Sequence, residues 1–245
     1  MITDGELQLF FETDKGKKMF QQLALQMERM KKAVERSETF GHFGWAFPLD
    51  MEPRDYVRLA EHATNADTVD AAFLKYYTDH DGQAYKRLIC SVIDEPELQQ
   101  CRGFLEEVRQ SYDDSRYRVC VAALLPMLDH IAQRTWDAPL STQGKAHKSL
   151  ERNIGVLPDS LTDYLWRSLK AFVDQVFVRS TRSKPPVLNR HWILHGRGIS
   201  DGTQVDCLRL LQAIRLLEEL AVKPTDCRMG LKTGIRHSES HSQGS

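Results

Sequence analysis

The hydrophobic positions of this chain recur three and four residues apart over most of its length, and this spacing predicts an all-α protein. Apolar residues that repeat in this way line one face of a helix, which then packs against a neighbour. The clearest stripes occupy residues 17–36, 97–112, 117–131, 161–176 and 207–221. We therefore expect helices that pack side by side in a bundle.

The first of these stripes allows two interpretations. It consists of Phe20, Leu23, Met27, Met30 and Val34, all on one face of the predicted helix. Such a face can pair two protomers or pack inside one subunit. Only two heptads are present, so packing inside one subunit is favoured.

The N-terminal third continues with breaks rather than long stripes. Residues 40–48 hold four aromatic side chains together with glycines and a proline, which predicts a loop pinned onto the helical body. Residues 52–63, 67–79 and 82–92 then predict short helices, separated at Asn65 and at Asp81-Gly82. The mixed polarity of these three segments indicates a surface-exposed helical layer.

The helix predicted over residues 117–131 is the most apolar, with Pro126 expected to kink it, and we expect it at the centre of the core. Asp129 and His130 lie beside its apolar face. They can project into a site, or they can form the polar edge of the core. Both alternatives fit the pattern.

The main irregular region is expected at residues 137–159, which contain prolines, glycines and a basic cluster that includes Lys148. A flap near an anionic substrate and a solvated loop both fit this composition. Asp159 or Ser160 then begins the next helix. Thr203 and Asp206 resemble a capping box ahead of the last helix.

Length and composition set broad limits. The chain has 245 residues, 41% of them hydrophobic, enough for one large or two small domains. We divide it into an N-terminal helical region (1–96), a helical bundle (97–222) and a polar tail (223–245) that we expect to be disordered. No apolar run is long enough to span a membrane and no signal peptide is recognisable, so we expect a cytoplasmic protein without membrane contact.

The five cysteines are an odd number without a Cys-x-x-Cys pair, which argues against a disulfide framework and a zinc knuckle. No phosphate-cradling glycine loop, Ser-His-Asp order or carboxylate pair stands out. We expect no cofactor and no metal.

One segment stands out by its charge. Residues 175–200 contain five basic residues and no Asp or Glu, although the whole chain has net charge −1. The five are Arg179, Arg182, Lys184, Arg190 and Arg197. This local imbalance predicts an anion site.

Within that segment, residues 188–198 bring together two arginines and two histidines. This segment is predicted to contain a short helix that stops near His195. Pro185-Pro186 precede the helix in extended backbone, and Gly196 and Gly198 follow it. The C-terminal end of a helix favours a protonated imidazole, which suits a residue that holds or donates a proton.

The segment 190–195 resembles the Arg-polar-x(3–5)-His signature of HEPN domains: Arg190 is followed by the polar His191, three further residues and His195. HEPN domains carry this signature between their last helices. The residues around it and the start of the final helix are also similar to uncharacterised bacterial proteins with a HEPN-like C-terminus. The bare spacing recurs at 36–42 and 236–241, but only Arg190 and His195 have helices on both sides and an acid-free surrounding. The resemblance covers residues 97–222 and implies a HEPN-like helical bundle with an additional N-terminal helical region.

The resemblance also implies an activity. HEPN nucleases cleave RNA without a metal, by attack of the 2′-hydroxyl on the adjacent phosphate. The resemblance implies that Arg190 stabilises the phosphate charge and that His195 transfers a proton, with His191 as the complementary proton-transfer group. Further contacts to RNA phosphates are expected from Asn189, Arg197, Arg182, Lys184 and Lys148. The family implies a homodimer with paired motifs, and a bacterial toxin or antiviral-defence effector controlled by an antitoxin or a phage-derived trigger.

Four alternatives stay open. His191 and His195 could bind a metal, although no third ligand accompanies them in the sequence. The basic segment could bind RNA or a nucleotide without cleaving it, or the helical surface could belong to a protein-interaction module. Lastly, Trp192, Ile193 and Leu194 could bury the segment, with both histidines satisfying hydrogen bonds in the core.

Overall fold

The computed structural model describes residues 13–140, 144–178, 185, 188–197 and 202–221. All regular secondary structure in these ranges is helical, which confirms the all-α prediction. The elements are α1 (Asp14–Glu35), α2 (Ser37–His42), α3 (Pro53–His62), α4 (Ala66–Ile93), a 3₁₀ helix (Pro96–Cys101), α5 (Arg102–Asp113), α6 (Tyr117–Trp136), α7 (Lys145–Asn153), α8 (Leu161–Val176), α9 (Arg190–Leu194) and α10 (Gln204–Ala221). The tail predicted to be disordered, 223–245, lies outside the described residues.

The last helix, α10, is the central element of the core. It packs against α4, α6 and α8, and it is buried on nearly every side, including the polar residues Asp206, Arg209, Gln212 and Glu218. The sequence predicts one apolar face for this helix, but neighbours cover most of its circumference. Its polar side chains therefore need partners inside the protein.

Those partners tie the N-terminal third to the bundle. The Arg209 guanidinium donates to the Asp70 carboxylate on α4 at 2.5 Å and to the Phe43 carbonyl at 2.9 Å. Tyr77, also on α4, donates its hydroxyl proton to the Gln212 amide oxygen at 3.1 Å. One hydrophobic core therefore runs across residue 96, and the division of the chain into two regions at this point stays a prediction.

The breaks predicted around α4 are confirmed. Asn65 caps the helix through a reciprocal capping box with Thr68, and the helix is interrupted at Asp79–Gly82, where His80, Asp81 and Gly82 have positive φ angles. The prediction of a surface-exposed layer is confirmed for one face of these helices, where Arg58, Lys75 and Lys86 are exposed, but not for the other. On that other face, large side chains of both halves of α4 are fully covered because they pack against α10 and the aromatic segment, namely Phe73, Tyr77, Leu88, Ile89 and Val92.

The aromatic segment is only partly a loop. Residues 37–42 form α2, contrary to the expectation that glycine breaks any helix here. Gly41 instead allows α2 to lie directly on α8, because a Cβ atom on it would stand 2.5 Å from the Ser168 carbonyl oxygen. Trp45 and Phe47 are buried beyond α2, which confirms that the segment is pinned to the helical body.

The stripe on α1 packs only at its C-terminal end. Val34 is buried and Met30 is partly covered, but Phe20, Leu23 and Met27 are 58%, 51% and 65% exposed. Packing inside one subunit is therefore confirmed for the last turns alone.

The second half follows its predicted pattern more closely. On α6, Val121, Leu124, Leu128 and Ile131 are fully buried, as expected of a central core helix. The irregular region is shorter than predicted because α7 (Lys145–Asn153) lies inside it, with Ala146 and Leu150 buried.

Both predicted helix starts in this half are confirmed. Ser160 caps α8 by accepting a hydrogen bond from the Asp163 amide. Thr203 and Asp206 form the reciprocal capping box of α10, because the side chain of each accepts from the other's amide. Among the described residues no helix has the length and hydropathy needed to cross a membrane.

Candidate functional site

The motif segment is anchored by Asn189. This residue is buried, and its side-chain oxygen accepts a hydrogen bond from the Trp192 amide at 2.9 Å, which starts α9. Its side-chain nitrogen donates to the Val178 carbonyl at 2.9 Å and to the Gln175 carbonyl at 3.4 Å. Asn189 thus joins α9 to the end of α8, and a direct contact between Asn189 and RNA stays a prediction.

The other end of α9 is closed by glycine. Gly196 has φ +73°, and its amide donates to the Ile193 carbonyl while the Arg197 amide donates to the Trp192 carbonyl, each at 3.0 Å. This pair of hydrogen bonds is a Schellman motif, which left-handed glycine permits. The predicted short helix ending at His195 is confirmed.

The two motif histidines share one face of α9. Their ring centroids are 4.3 Å apart, and the ring planes make an angle of 56°. His191 is half-buried, whereas His195 is exposed. The exposure of His195 contradicts the alternative in which both histidines serve the core, and it leaves this imidazole accessible to a ligand.

Arg190 begins α9 and is held by an acidic residue from another helix. Its guanidinium lies 2.8 Å from the Asp129 carboxylate on α6, and the side chains are only 25% and 14% exposed. The guanidinium carbon also lies 6.0 Å from the centroid of the Phe177 ring, within the range of a cation–π contact. A partly buried ion pair with an aromatic neighbour fixes the direction of the arginine fork better than an exposed pair does.

Asp129 is the residue that the charge pattern misses. The acid-free window around Arg190 is free of acids only along the sequence, because the fold brings in a carboxylate from 61 residues earlier. Of the two alternatives for Asp129, the structure shows that it faces the motif. The sequence signal was its position beside the apolar face of α6.

The other predicted contacts are more scattered. Arg197 is exposed, with its guanidinium carbon 5.7 Å from the Trp192 ring centroid. Lys148 is exposed on α7, a different helix. Arg182 and Lys184, like Arg179, lie outside the described residues.

The basic cluster around Lys148 is partly neutralised by α8. His147 Nδ1 lies 3.5 Å from the Asp174 carboxylate, which also accepts from Lys170 at 2.6 Å. Burial opposes ionisation of Asp174, but the hydrogen bonds from His147 and Lys170 outweigh it and lower the pKa of this carboxyl. This charged cluster stabilises the contact between α7 and α8, and nothing in the sequence pattern pointed to it.

The described residues hold no group of three or more His, Cys, Asp and Glu side chains placed to bind a metal ion. The segment instead presents an oriented guanidinium at the start of α9 and an exposed imidazole directly after its end. This combination can bind a phosphate diester and transfer a proton beside it.

Comparisons of the chain with protein-family models, with curated proteins and with solved structures found no match. The interpretation of the site therefore depends on its own geometry and on the motif in the sequence.

Proposed function

We propose that this protein is a metal-independent endoribonuclease of HEPN type, with residues 97–222 as the HEPN-like bundle. The observation that supports this proposal best is the arrangement on α9. Arg190 is oriented by Asp129, and the accessible His195 lies beside His191 on the same face. The motif taken from the sequence thus coincides with a surface that has suitable groups for phosphate chemistry.

The reaction needs only these side chains and the RNA. The 2′-hydroxyl oxygen attacks the adjacent phosphorus and loses its proton to one imidazole, while the bond from phosphorus to the 5′-oxygen breaks and that oxygen takes a proton from a second acid. The products are a 2′,3′-cyclic phosphate and a 5′-hydroxyl. His195 and His191 supply the two proton-transfer groups, and Arg190 stabilises the charge that grows on the phosphoryl oxygens.

The proposed active unit is a homodimer in which α9 of each protomer faces a two-fold axis, as the HEPN resemblance implies. Pairing would double the number of imidazoles and guanidinia around one phosphate. Sedimentation at micromolar concentration tests this part directly, because a monomer that still cleaves RNA contradicts it. On the same resemblance, we propose a role as a bacterial toxin or antiviral-defence effector, controlled by an antitoxin or a phage-derived trigger.

The activity is tested by incubating the full chain with total RNA in EDTA and identifying the ends produced. His195→Ala should slow cleavage on the order of a hundredfold or more and leave RNA binding near normal, because it removes a proton-transfer group. Arg190→Ala should weaken both. His130→Ala is the matched control, since this exposed histidine follows Asp129 but contacts Gln100 rather than the motif.

Three other outcomes would redirect the assignment. RNA binding without cleavage indicates the non-catalytic RNA-binding alternative, and the absence of both indicates a protein-interaction module. Cleavage that disappears in EDTA and returns with added metal contradicts the metal-independent mechanism.

A further inference from the structure

A large cavity lies away from α9, between α3 and the interruption of α4. It has a volume of about 690 Å³, within the range of small-molecule sites. A second cavity of about 410 Å³ shares Asp55, Arg58 and His80 with it. The two together form one open cleft, which we call the α3–α4 cleft.

Positive charge dominates the walls of the α3–α4 cleft. They carry Arg54, Arg58, Lys75 and Arg87 against two carboxylates, Asp55 and Asp79. Counting histidines as neutral, the excess is two positive charges. A concave surface with such an excess attracts small anions more strongly than a flat one does.

The cations divide into two kinds. Arg58 is paired with Asp55 at 2.7 Å and Lys75 with Asp79 at 2.6 Å, so both are oriented at the rim. Arg54 and Arg87 make no hydrogen bond or ion pair within the part of the chain that the structure describes. The charge of Arg54 is thus available to a ligand, while that of Arg87 also acts on the nearby Asp50 carboxylate.

Two histidines also line the cleft. His62 Nδ1 donates to the Arg58 carbonyl at 2.7 Å, so Nε2 of the neutral ring is an acceptor and adds no donor for a phosphate. His80 lines both cavities and is exposed.

The backbone that presents His80 is strained. His80 and Asp81 have φ angles of 52° and 55°, a left-handed conformation that is unfavourable for residues other than glycine. Strained residues of this kind concentrate at ligand sites, and here they lie at the rim of this cleft.

The floor of the cleft is apolar. Leu59, Ala63, Ala72 and Ala84 line it together with the side chain of Tyr76. The Tyr76 hydroxyl donates to the Asp50 carbonyl at 3.4 Å, which restrains the ring. A ligand with a flat, uncharged part can cover this floor while its charged part reaches the rim.

We propose that the α3–α4 cleft binds a small phosphate-bearing molecule of the nucleoside phosphate class. Its phosphates contact Arg87, Arg58 and Lys75, and its base lies on the floor beside Tyr76. This binding is independent of the chemistry proposed for α9, because no motif residue lines the cleft.

Calorimetric titration of the full chain with ATP and with inorganic tripolyphosphate tests the proposal at physiological salt. ATP should bind saturably, and Arg87→Gln and Lys75→Gln should each weaken that binding about tenfold, as expected for loss of a charge-assisted contact. Binding of tripolyphosphate without binding of ATP overturns the assignment to the nucleoside phosphate class. Lys86→Gln is the matched control, because Lys86 is an exposed cation next to Arg87 that does not line the cleft.

The absence of saturable binding of both probes at millimolar concentration overturns the proposal. An equal loss in Lys86→Gln and Arg87→Gln also overturns it, since that result shows general attraction to a basic surface. Melting temperatures of the variants verify that each one is folded.

Discussion

Replacing Asp129 by Asn should change RNA binding and RNA cleavage in opposite directions. The substitution removes the negative charge beside Arg190 and keeps the shape of the side chain. Binding improves because a repulsion is removed, whereas cleavage weakens because the guanidinium loses the ion pair that orients it.

The size of the binding effect follows from the geometry. The ion pair spans 2.8 Å, so a phosphate on the opposite edge of the guanidinium lies roughly 7 Å from the carboxylate, one further contact plus the width of the group. Two like charges at that distance repel by about 1 kcal/mol with an effective dielectric constant of about 40, between the values for water and a protein surface. RNA binding should therefore tighten roughly fivefold, while the cleavage rate falls on the order of tenfold to a hundredfold.

The two quantities are measured separately, by fluorescence anisotropy with a non-cleavable 2′-deoxy substrate and by single-turnover cleavage of the matching RNA. Asp94→Asn is the control, because it makes the same change in net charge at an exposed position. If Asp129→Asn leaves the cleavage rate unchanged, Asp129 does not orient Arg190 for catalysis. If binding and melting temperature fall together, the ion pair serves the fold alone.

Three further predictions concern stability. Gly41→Ala should destabilise the protein by about 1–3 kcal/mol, because the added methyl group overpacks the contact with α8. Gly103→Ala is the control: it has open space around it and should be neutral or stabilising by up to about 1 kcal/mol. Urea denaturation measures the free energy of unfolding of both variants. Burial opposes ionisation of Asp163, but the hydrogen bonds from Arg167 and the Gly155 amide outweigh burial and lower the pKa of this carboxyl. The stability that the carboxylate contributes is therefore fully present at a pH above the ordinary pKa of 3.8, and it is lost as the pH falls through the lower pKa of the folded state. The deficit of Asp163→Asn relative to wild type should accordingly shrink in acid, and a deficit that stays constant down to pH 2 or so contradicts this assignment. Asn189→Ala should cost about 1–2 kcal/mol and remove exchange protection from the Trp192 amide before the amides of α10.

Local features of the fold were predictable because they depend on neighbours in sequence. The caps at Asn65, Ser160 and Thr203 use side chains within three residues of the amides they satisfy. The end of α9 likewise follows from Gly196. Such short-range chemistry is readable from the sequence alone.

Features that depend on the packing of distant segments were not predictable. Tyr77 is buried where it meets Gln212 on α10, 135 residues later, and Phe73 is buried against Phe40 and Trp45 of the aromatic segment. The mixed polarity of their own segment did not predict this packing. For the same reason the ion pair between Asp129 and Arg190 is invisible to any window around the motif. Spacing predicts which face of a helix is apolar, but not which partner covers it.

The hydrogen bond from Asn189 to the Val178 carbonyl has a consequence for how this protein can vary. It joins two points of the chain that are 11 residues apart, so the motif is positioned by the end of α8 and not by the length of the connection. Doubling the number of residues in a loop adds only about 0.6 kcal/mol to the free-energy cost of closing it. Insertions between these two residues, including a peptide epitope or a protease site, are therefore compatible with an unchanged position of Arg190.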